Sequence, residues 1–314
     1  MVIAIIGIGG VGGYFGGKLA HILEKCSAEE NEIYFVARGE HGRKIRENGL
    51  ILKTNLEGEM LCRPTKVLEN IVELPELDVC FLCVKQYDLY DCLISLKEKV
   101  RNDTKIIPLL NVVDIYERVR AVIHKGYVFP ACVYVGTHIE APGVVSQSGG
   151  SCEIVFGQDK KYGGEKPEEI CRLMDEAEIH YRWSEEYLEE IWNKYIFIAA
   201  YGLVTASENK TLGEVYENTE LRNKVKRIME EIIQLGQAEN IVFSNNILQV
   251  SLEKANSFPY ETKTSFQRDF ETPGKRDEIE LFGNTLFNLS QKHNVTISEI
   301  EATYSKLIEN SKLH

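Results

Sequence analysis

Val2-Ile3-Ala4-Ile5-Ile6-Gly7-Ile8-Gly9-Gly10-Val11-Gly12 opens the chain and decides its architecture. An unbroken apolar run without polar alternation is what a strand needs when both its faces are covered, as in a parallel sheet. The glycines follow at once and match G-x-G-x-x-G, and a helical pattern runs from about Gly10 to Leu23. A bare glycine string is a weak signal; strand, glycine turn and helix in immediate succession is the setting in which it binds a dinucleotide. Gly7 permits the tight turn, Gly9 lets the backbone approach a pyrophosphate, and Gly12 lets the helix pack closely on the strand. Gly10 and Val11 complete the turn, where free amides and the helix dipole face the anion. The plain alternative is a glycine turn with a structural role only.

Strand and helix keep alternating through the first half. Strands are expected at 32–37, 79–84 and 105–109, a polar helix at about 40–47, and helical stretches after the later strands. Segments 127–136, 143–146 and 152–157 read as strands that extend or flank the same sheet. The alternation implies βαβ units and a doubly wound, mostly parallel α/β sheet of Rossmann-like type. Near residue 184 the character changes to helical period, in pieces at about 185–207, 211–239, 244–256, 276–293 and 296–311, broken at Ser257-Phe258-Pro259. The expected organisation is a nucleotide-binding domain over 1–184 and an all-α domain over 185–314, with ligand between them.

A chain of 314 residues suffices for two ordinary domains, and 44% hydrophobic with 27% charged residues is a globular composition. The net charge of −12 and the lack of a dense basic stretch argue against nucleic acid and anionic membranes as partners. No apolar run approaches the ~20 residues that span a bilayer, and the N-terminus lacks a basic region and cleavage site. A cytoplasmic protein is expected. Eight cysteines show no framework spacing. Cys80 and Cys83, within an apolar run, read as small packing residues in a reducing compartment, with metal or redox use as the rival.

The second strand bears on which dinucleotide binds. NAD-specific folds place an acid at its end, on the ribose hydroxyls. Here the run ends Val36-Ala37-Arg38-Gly39, and a guanidinium suits a 2′-phosphate in charge and shape. NADPH is the expected cofactor. Glu40, in the next turn, weighs the other way, and Arg38 could also be an ordinary surface arginine.

Further segments carry a resemblance: Ala37-Arg38-Gly39-Glu40-His41, Glu47-Asn48-Gly49-Leu50, Cys83-Val84-Lys85-Gln86-Tyr87-Asp88, Leu109-Leu110-Asn111, Gly143-Val144-Val145, Trp192-Asn193-Lys194-Tyr195, Thr264-Ser265-Phe266-Gln267-Arg268-Asp269 and Arg276-Asp277-Glu278-Ile279. In this order and spacing, over essentially the whole chain, they resemble the ketopantoate reductase (2-dehydropantoate 2-reductase) family. The resemblance implies NADPH-dependent reduction of 2-dehydropantoate to pantoate, a step of pantothenate biosynthesis. It implies that Arg38 meets the 2′-phosphate, Lys85 lies close to the cofactor, and Asn111 lies beside nicotinamide and substrate. It further implies that Lys194 is the catalytic lysine, and that Glu278 and Ser265 hold the substrate's hydroxyl and carboxylate ends.

The chemistry is sound on its own terms. Hydride addition builds negative charge on a ketone oxygen, which a positioned ammonium stabilises and protonates. Bland readings stand beside each residue. Lys194 could be a solvated helix lysine, although Ile191, Tyr195 and Ile198 place it near an apolar stripe. Glu278 could be a first-turn acid, Ser265 a helix cap, Lys85 a strand end and Asn111 a turn residue.

Family members often carry Lys-x-x-x-Asn-x-x-x-Asn on the catalytic helix, whereas this chain has Lys194, Ile198 and Gly202 on that face. A more apolar and roomier pocket is expected. The usual Gln-Asn-Gly turn reads Leu110-Asn111-Val112, and the stretch from Ser265 to Glu278 is one residue longer than expected. These changes keep open a second substrate class, a more apolar 2-keto acid. An NADP(H)-binding sensor without turnover is a third reading, and Lys194 with Glu278 counts against it. The long helices offer faces for a homodimer.

Overall fold

The central strand is β1 (Val2–Ile6), whose residues Ile3 to Ile6 are all buried, so that neighbouring strands are needed on both sides. The computed structural model describes residues 1–25, 31–272, 274 and 278–311. The chain divides into two compact units, Met1–Tyr187 and Leu188–His314.

In the first unit β1 is followed by α1 (Gly10–Lys25), β2 (Glu32–Val36), α2 (Gly39–Asn48), β3 (Leu50–Thr54), β4 (Gly58–Cys62) and β5 (Lys66–Leu68). Then come β6 (Leu77–Leu82), α3 (Gln86–Leu96), β7 (Val100–Pro108), α4 (Ile115–Arg120), β8 (Tyr127–Val128), β9 (Ala131–Ala141), β10 (Val144–Phe156), α5 (Glu168–Glu176) and β11 (His180–Trp183). Six strands form one sheet in the order β5-β2-β1-β6-β7-β8, every pair parallel. The order reverses direction at β1, which makes the carboxyl end of β1 the switch point where doubly wound sheets bind ligands.

The later strands do not flank that sheet, as the sequence suggests; only β8 joins it. The others build a second, five-stranded sheet, β11-β10-β3-β4 with β9 antiparallel to β10. The expected strands 143–146 and 152–157 are one continuous β10, bent at register shifts around Gly149. The β3–β4 hairpin has no counterpart in the sequence reading. Leu50 and Leu52 point inward on β3, and α1 supplies the surface that covers them. Helix α1 therefore packs on both sheets, and Tyr14, Phe15, Leu19 and Ala20 belong to one core with Ile3, Leu52 and Val145.

The second unit is helical. Helix α6 (Tyr187–Glu208) begins at the last residue of the first unit, and α7 (Leu212–Glu217), α8 (Thr219–Ala238), α9 (Ile247–Glu253), α10 (Ser265–Phe270), α11 (Ile279–Phe282), α12 (Asn284–His293) and α13 (Ser298–Ser311) follow. The single helix expected over 211–239 is two. Thr211 and Glu214 form a capping box at α7, and the Asn218 side chain accepts the Glu220 and Leu221 amides to start α8. The helix expected over 276–293 is likewise divided at Gly283, where the chain passes so close to the Tyr304 ring that any side chain would collide. Residues 276 and 277 lie outside the described residues. Helix α10 lies between the helical pieces expected from the pattern; Thr264, not Ser265, caps it by accepting the Gln267 amide at 3.1 Å.

Candidate functional site

The glycine turn has the geometry of an anion cradle. Gly7 holds φ +93, and a Cβ there would lie 2.8 Å from the Cys83 carbonyl oxygen, so the turn passes directly over the end of β6. A side chain at Gly12 would overlap the Gly7 carbonyl oxygen. At Gly9, by contrast, a Cβ would meet nothing within 4 Å, which leaves the backbone open to approach. Gly13 donates the first helical bond to the Gly9 carbonyl at 2.8 Å, and the amides just before it belong to the helix start, where no intrahelical acceptor exists. Gly10 is closed on its other side by Thr137 of β9. A pyrophosphate fits this turn.

The other first-unit candidates gather at the same edge. Four adjacent parallel strands, β2, β1, β6 and β7, end at Val36, Ile6, Leu82 and Pro108. Arg38, the turn Gly7–Gly12, Lys85 and Asn111 follow those four ends in turn. Arg38 is exposed at the start of α2, and its Nη2 lies 3.9 Å from Asp88 Oδ2 in the first turn of α3. Glu40 faces Arg43 at 3.6 Å, so the acid that weighed against a phosphate is paired along its own helix. Lys85, at the N-cap position of α3, and Asn111 are both half-buried. Two neighbours were missed in the sequence, Asp88 and His41, although both stand inside quoted segments. No residue-type rule separates an acid that faces an arginine across strands from one that merely opens a helix.

In the second unit Lys194 is half-buried on α6, between the buried Ile191 and Tyr195. Glu278, half-buried, immediately precedes α11. Ser265 is the exposed first residue of α10, and the capping role considered for it belongs to Thr264. Helices α10 and α11 both pack on α6: the Phe266 and Phe282 rings stand 5.1 Å apart and T-shaped, and Phe282 lies 6.2 Å from Tyr195.

A profile described as Ketopantoate reductase PanE/ApbA matches residues 3–161, and its C-terminal counterpart matches 186–310. The chain belongs to the ketopantoate reductase family. It is 25% identical over 311 residues to the uncharacterized oxidoreductase YkpB of Bacillus subtilis, covering 98% of both chains. A solved 2-dehydropantoate 2-reductase from Porphyromonas gingivalis W83 is 25% identical with a TM-score of 0.81, over 98% of this chain and 99% of that one. A D-mandelate dehydrogenase solved with NADH and anilino(oxo)acetate is 18% identical, with a TM-score of 0.84 over 99% of each chain.

The chain is thus an oxidoreductase of a family that binds a nicotinamide cofactor. Its departures from the family pattern have visible physical causes. Leu110 and Val112, on either side of Asn111, are buried, so the altered turn is anchored by apolar contacts. The place of the missing second asparagine is not a void. A Cβ at Gly202 would lie 3.6 Å from Phe282 Cε2 and 3.7 Å from Phe266 Cδ1, in ordinary van der Waals contact, so the two rings line this position. This stretch of α6 faces two aromatic rings. Ile198 remains half-buried.

The cysteine pair resolves toward packing. Burial pushes the thiols of Cys80 and Cys83 well up, which keeps them protonated and unreactive. Among the described residues no group of three or more His, Cys, Asp or Glu is placed to hold a metal, and no helix is long and apolar enough to cross a membrane.

Proposed function

We propose that this chain reduces the ketone of 2-dehydropantoate to the pantoate alcohol with NADPH. The observation that carries the reading is the file of Arg38, the open glycine turn, Lys85 and Asn111 along the carboxyl edge of one parallel sheet. The turn's amides and the dipole of α1 would hold the pyrophosphate, and Arg38 the 2′-phosphate. Lys85 and Asn111 would lie along the cofactor. When bound, the reduced nicotinamide supplies the hydride. Lys194 donates a hydrogen bond to the keto oxygen, stabilises the charge that collects there, and gives up its proton to complete the alcohol. Glu278 and Ser265 orient the substrate's polar ends.

A second reading, reduction of a more apolar 2-keto acid, is favoured by Ile198 and by the Phe266–Phe282 pair that lines Gly202. Losing hydrogen-bond partners changes what a site accepts more strongly than losing a methylene. Initial rates of NADPH oxidation by the purified protein test both readings, with 2-dehydropantoate, branched and aromatic 2-keto acids, and NADH in parallel. The first expects 2-dehydropantoate to lead by kcat/KM; a branched or aromatic acid far ahead of it establishes the second; no oxidation with any acid overturns both.

A further inference from the structure

His41 ties together three parts of the first unit that meet at the glycine turn. It lies in the first turn of α2, and its Nδ1 accepts the Gly143 N–H at 3.0 Å. That nitrogen therefore carries no proton, and the neutral ring holds its proton on Nε2. Gly143 is the tip of the β9–β10 hairpin. It holds φ +83, and a Cβ there would lie 3.0 Å from Lys44 Cβ, so the tip rests on α2. The Gly143 carbonyl accepts the Ile51 amide at 2.9 Å, which fixes the tip within the second sheet.

The other edge of the ring is unusual. His41 Nε2 is buried and closes no hydrogen bond among the described residues. The carbonyls of Ile8 and Ala141 nevertheless act on the ring. Ile8 stands inside the glycine turn, and Ala141 ends β9. A buried N–H short of an acceptor is costly.

We propose that His41 is a positioning residue for the dinucleotide turn: its bare Nδ1 latches the hairpin tip to α2. The inference rests on the reading that Gly7–Gly12 holds a nicotinamide dinucleotide. The hairpin also supplies Thr137 and Val145, against which Gly10 and Gly13 pack, so the latch sets the depth of the cradle. Charged groups on the adjoining segments are paired elsewhere: Arg38 with Asp88, Glu40 with Arg43, Lys44 with Glu47, and Glu140 with Lys53. Burial lowers the ring's pKa from 6.5, partly offset by the Ile8 and Ala141 carbonyls, so the latch is closed at neutral pH. The native pKa being depressed, the latch is complete above 6.5 and is lost as pH falls through the lowered value. Protonation sets a second N–H against the Gly143 N–H.

The test is NADPH affinity, read by quenching of nucleotide fluorescence, for the full-length protein and its His41→Ala, His41→Asn and His41→Gln variants. Asn places an oxygen where Nδ1 was, and Gln places an amide where Nε2 was. His41→Ala is expected to weaken binding by about tenfold and His41→Asn to restore it to within about threefold, as for one lost and regained hydrogen bond. His41→Gln recovers less than Asn. As pH falls below 6.5 through the lowered value, the wild type should lose more affinity than His41→Asn, which does not titrate. The ratio of the two cancels the nucleotide's own ionisation, and it reads out even if the alanine variant fails to fold. Equal affinities for Ala and Asn, or a ratio constant with pH, overturn the inference alone. Failure of the wild type to bind NADPH overturns the functional reading and the inference with it.

Discussion

Arg38 and Asp88 face each other at 3.9 Å across the end of β1, although one follows β2 and the other follows β6. Their side chains are 68% and 37% exposed, and an ion pair so open to water contributes little, about 0–1 kcal/mol. A phosphate dianion can therefore take the guanidinium from the carboxylate, while the carboxylate stays close enough to repel it.

Two cofactor predictions follow from that pair. Arg38→Ala should raise KM for NADPH by about tenfold or more and leave KM for NADH almost unchanged, since only one nucleotide offers the 2′-phosphate. Asp88→Asn should move the NADPH to NADH ratio of kcat/KM upward by about threefold. Steady-state kinetics with both nucleotides checks both. A wild-type preference for NADH, unchanged in Arg38→Ala, would remove the assignment of Arg38 to the phosphate.

Lys194→Ala should lower kcat by about 10²–10⁴-fold, the usual worth of a positioned acid, with NADPH affinity retained. Single-turnover absorbance and nucleotide titration separate the two quantities. A chain that merely senses the nucleotide has no turnover to lose, so equal and negligible rates in both proteins would favour that role.

The two departures on α6 predict opposite outcomes. Ile198→Asn should increase kcat/KM for 2-dehydropantoate relative to an apolar 2-keto acid, because Ile198 is half-buried and an amide there can meet the substrate. Gly202→Asn should destabilise the protein by about 1–3 kcal/mol, because it sets a polar carboxamide against the Phe282 and Phe266 rings. Chemical denaturation and the keto-acid rates measure each. Stability unchanged in Gly202→Asn would show that the carboxamide finds a hydrogen-bond partner beside the rings.

The cofactor half was legible because its signals are local. A buried strand, a glycine spacing and a helix start follow one another within Val2–Gly12, and chain order alone puts Arg38, Lys85 and Asn111 at strand ends. The second sheet was not legible, since β3 and β10 pair in parallel across a long stretch of sequence, and the strand signals within β10 do not say which partner they take. The helix breaks at Asn218 and Gly283 were hidden for another reason. Apolar periodicity runs through both, and only the caps and the Tyr304 ring stop the helices. The substitution at Gly202 was visible, but its surroundings were not, because the rings that line it come from α10 and α11.

Acid stability should depend on Asp159, which is almost fully buried beyond the end of β10. Burial pushes its carboxyl up, yet the Tyr116 hydroxyl at 2.6 Å and the amides of Val128, Tyr162 and Lys161 at 2.7, 3.1 and 2.8 Å hold it below 3.8 overall. Arg120 pairs with it and also donates to the carbonyls of Lys125 and Gly126, which joins α4 to the segment after β10. The native pKa is depressed, so the native state binds fewer protons than the unfolded chain. The contribution is then complete above 3.8 and is lost as pH falls below that value toward the native one. Asp159→Asn should cost about 3 kcal/mol at neutral pH by leaving the Arg120 guanidinium without its anion. The same variant should show a flatter decline of stability in acid. Denaturant melts of both proteins from neutral pH to below 3.8 measure the difference, and parallel curves would show that this carboxylate does not govern acid unfolding.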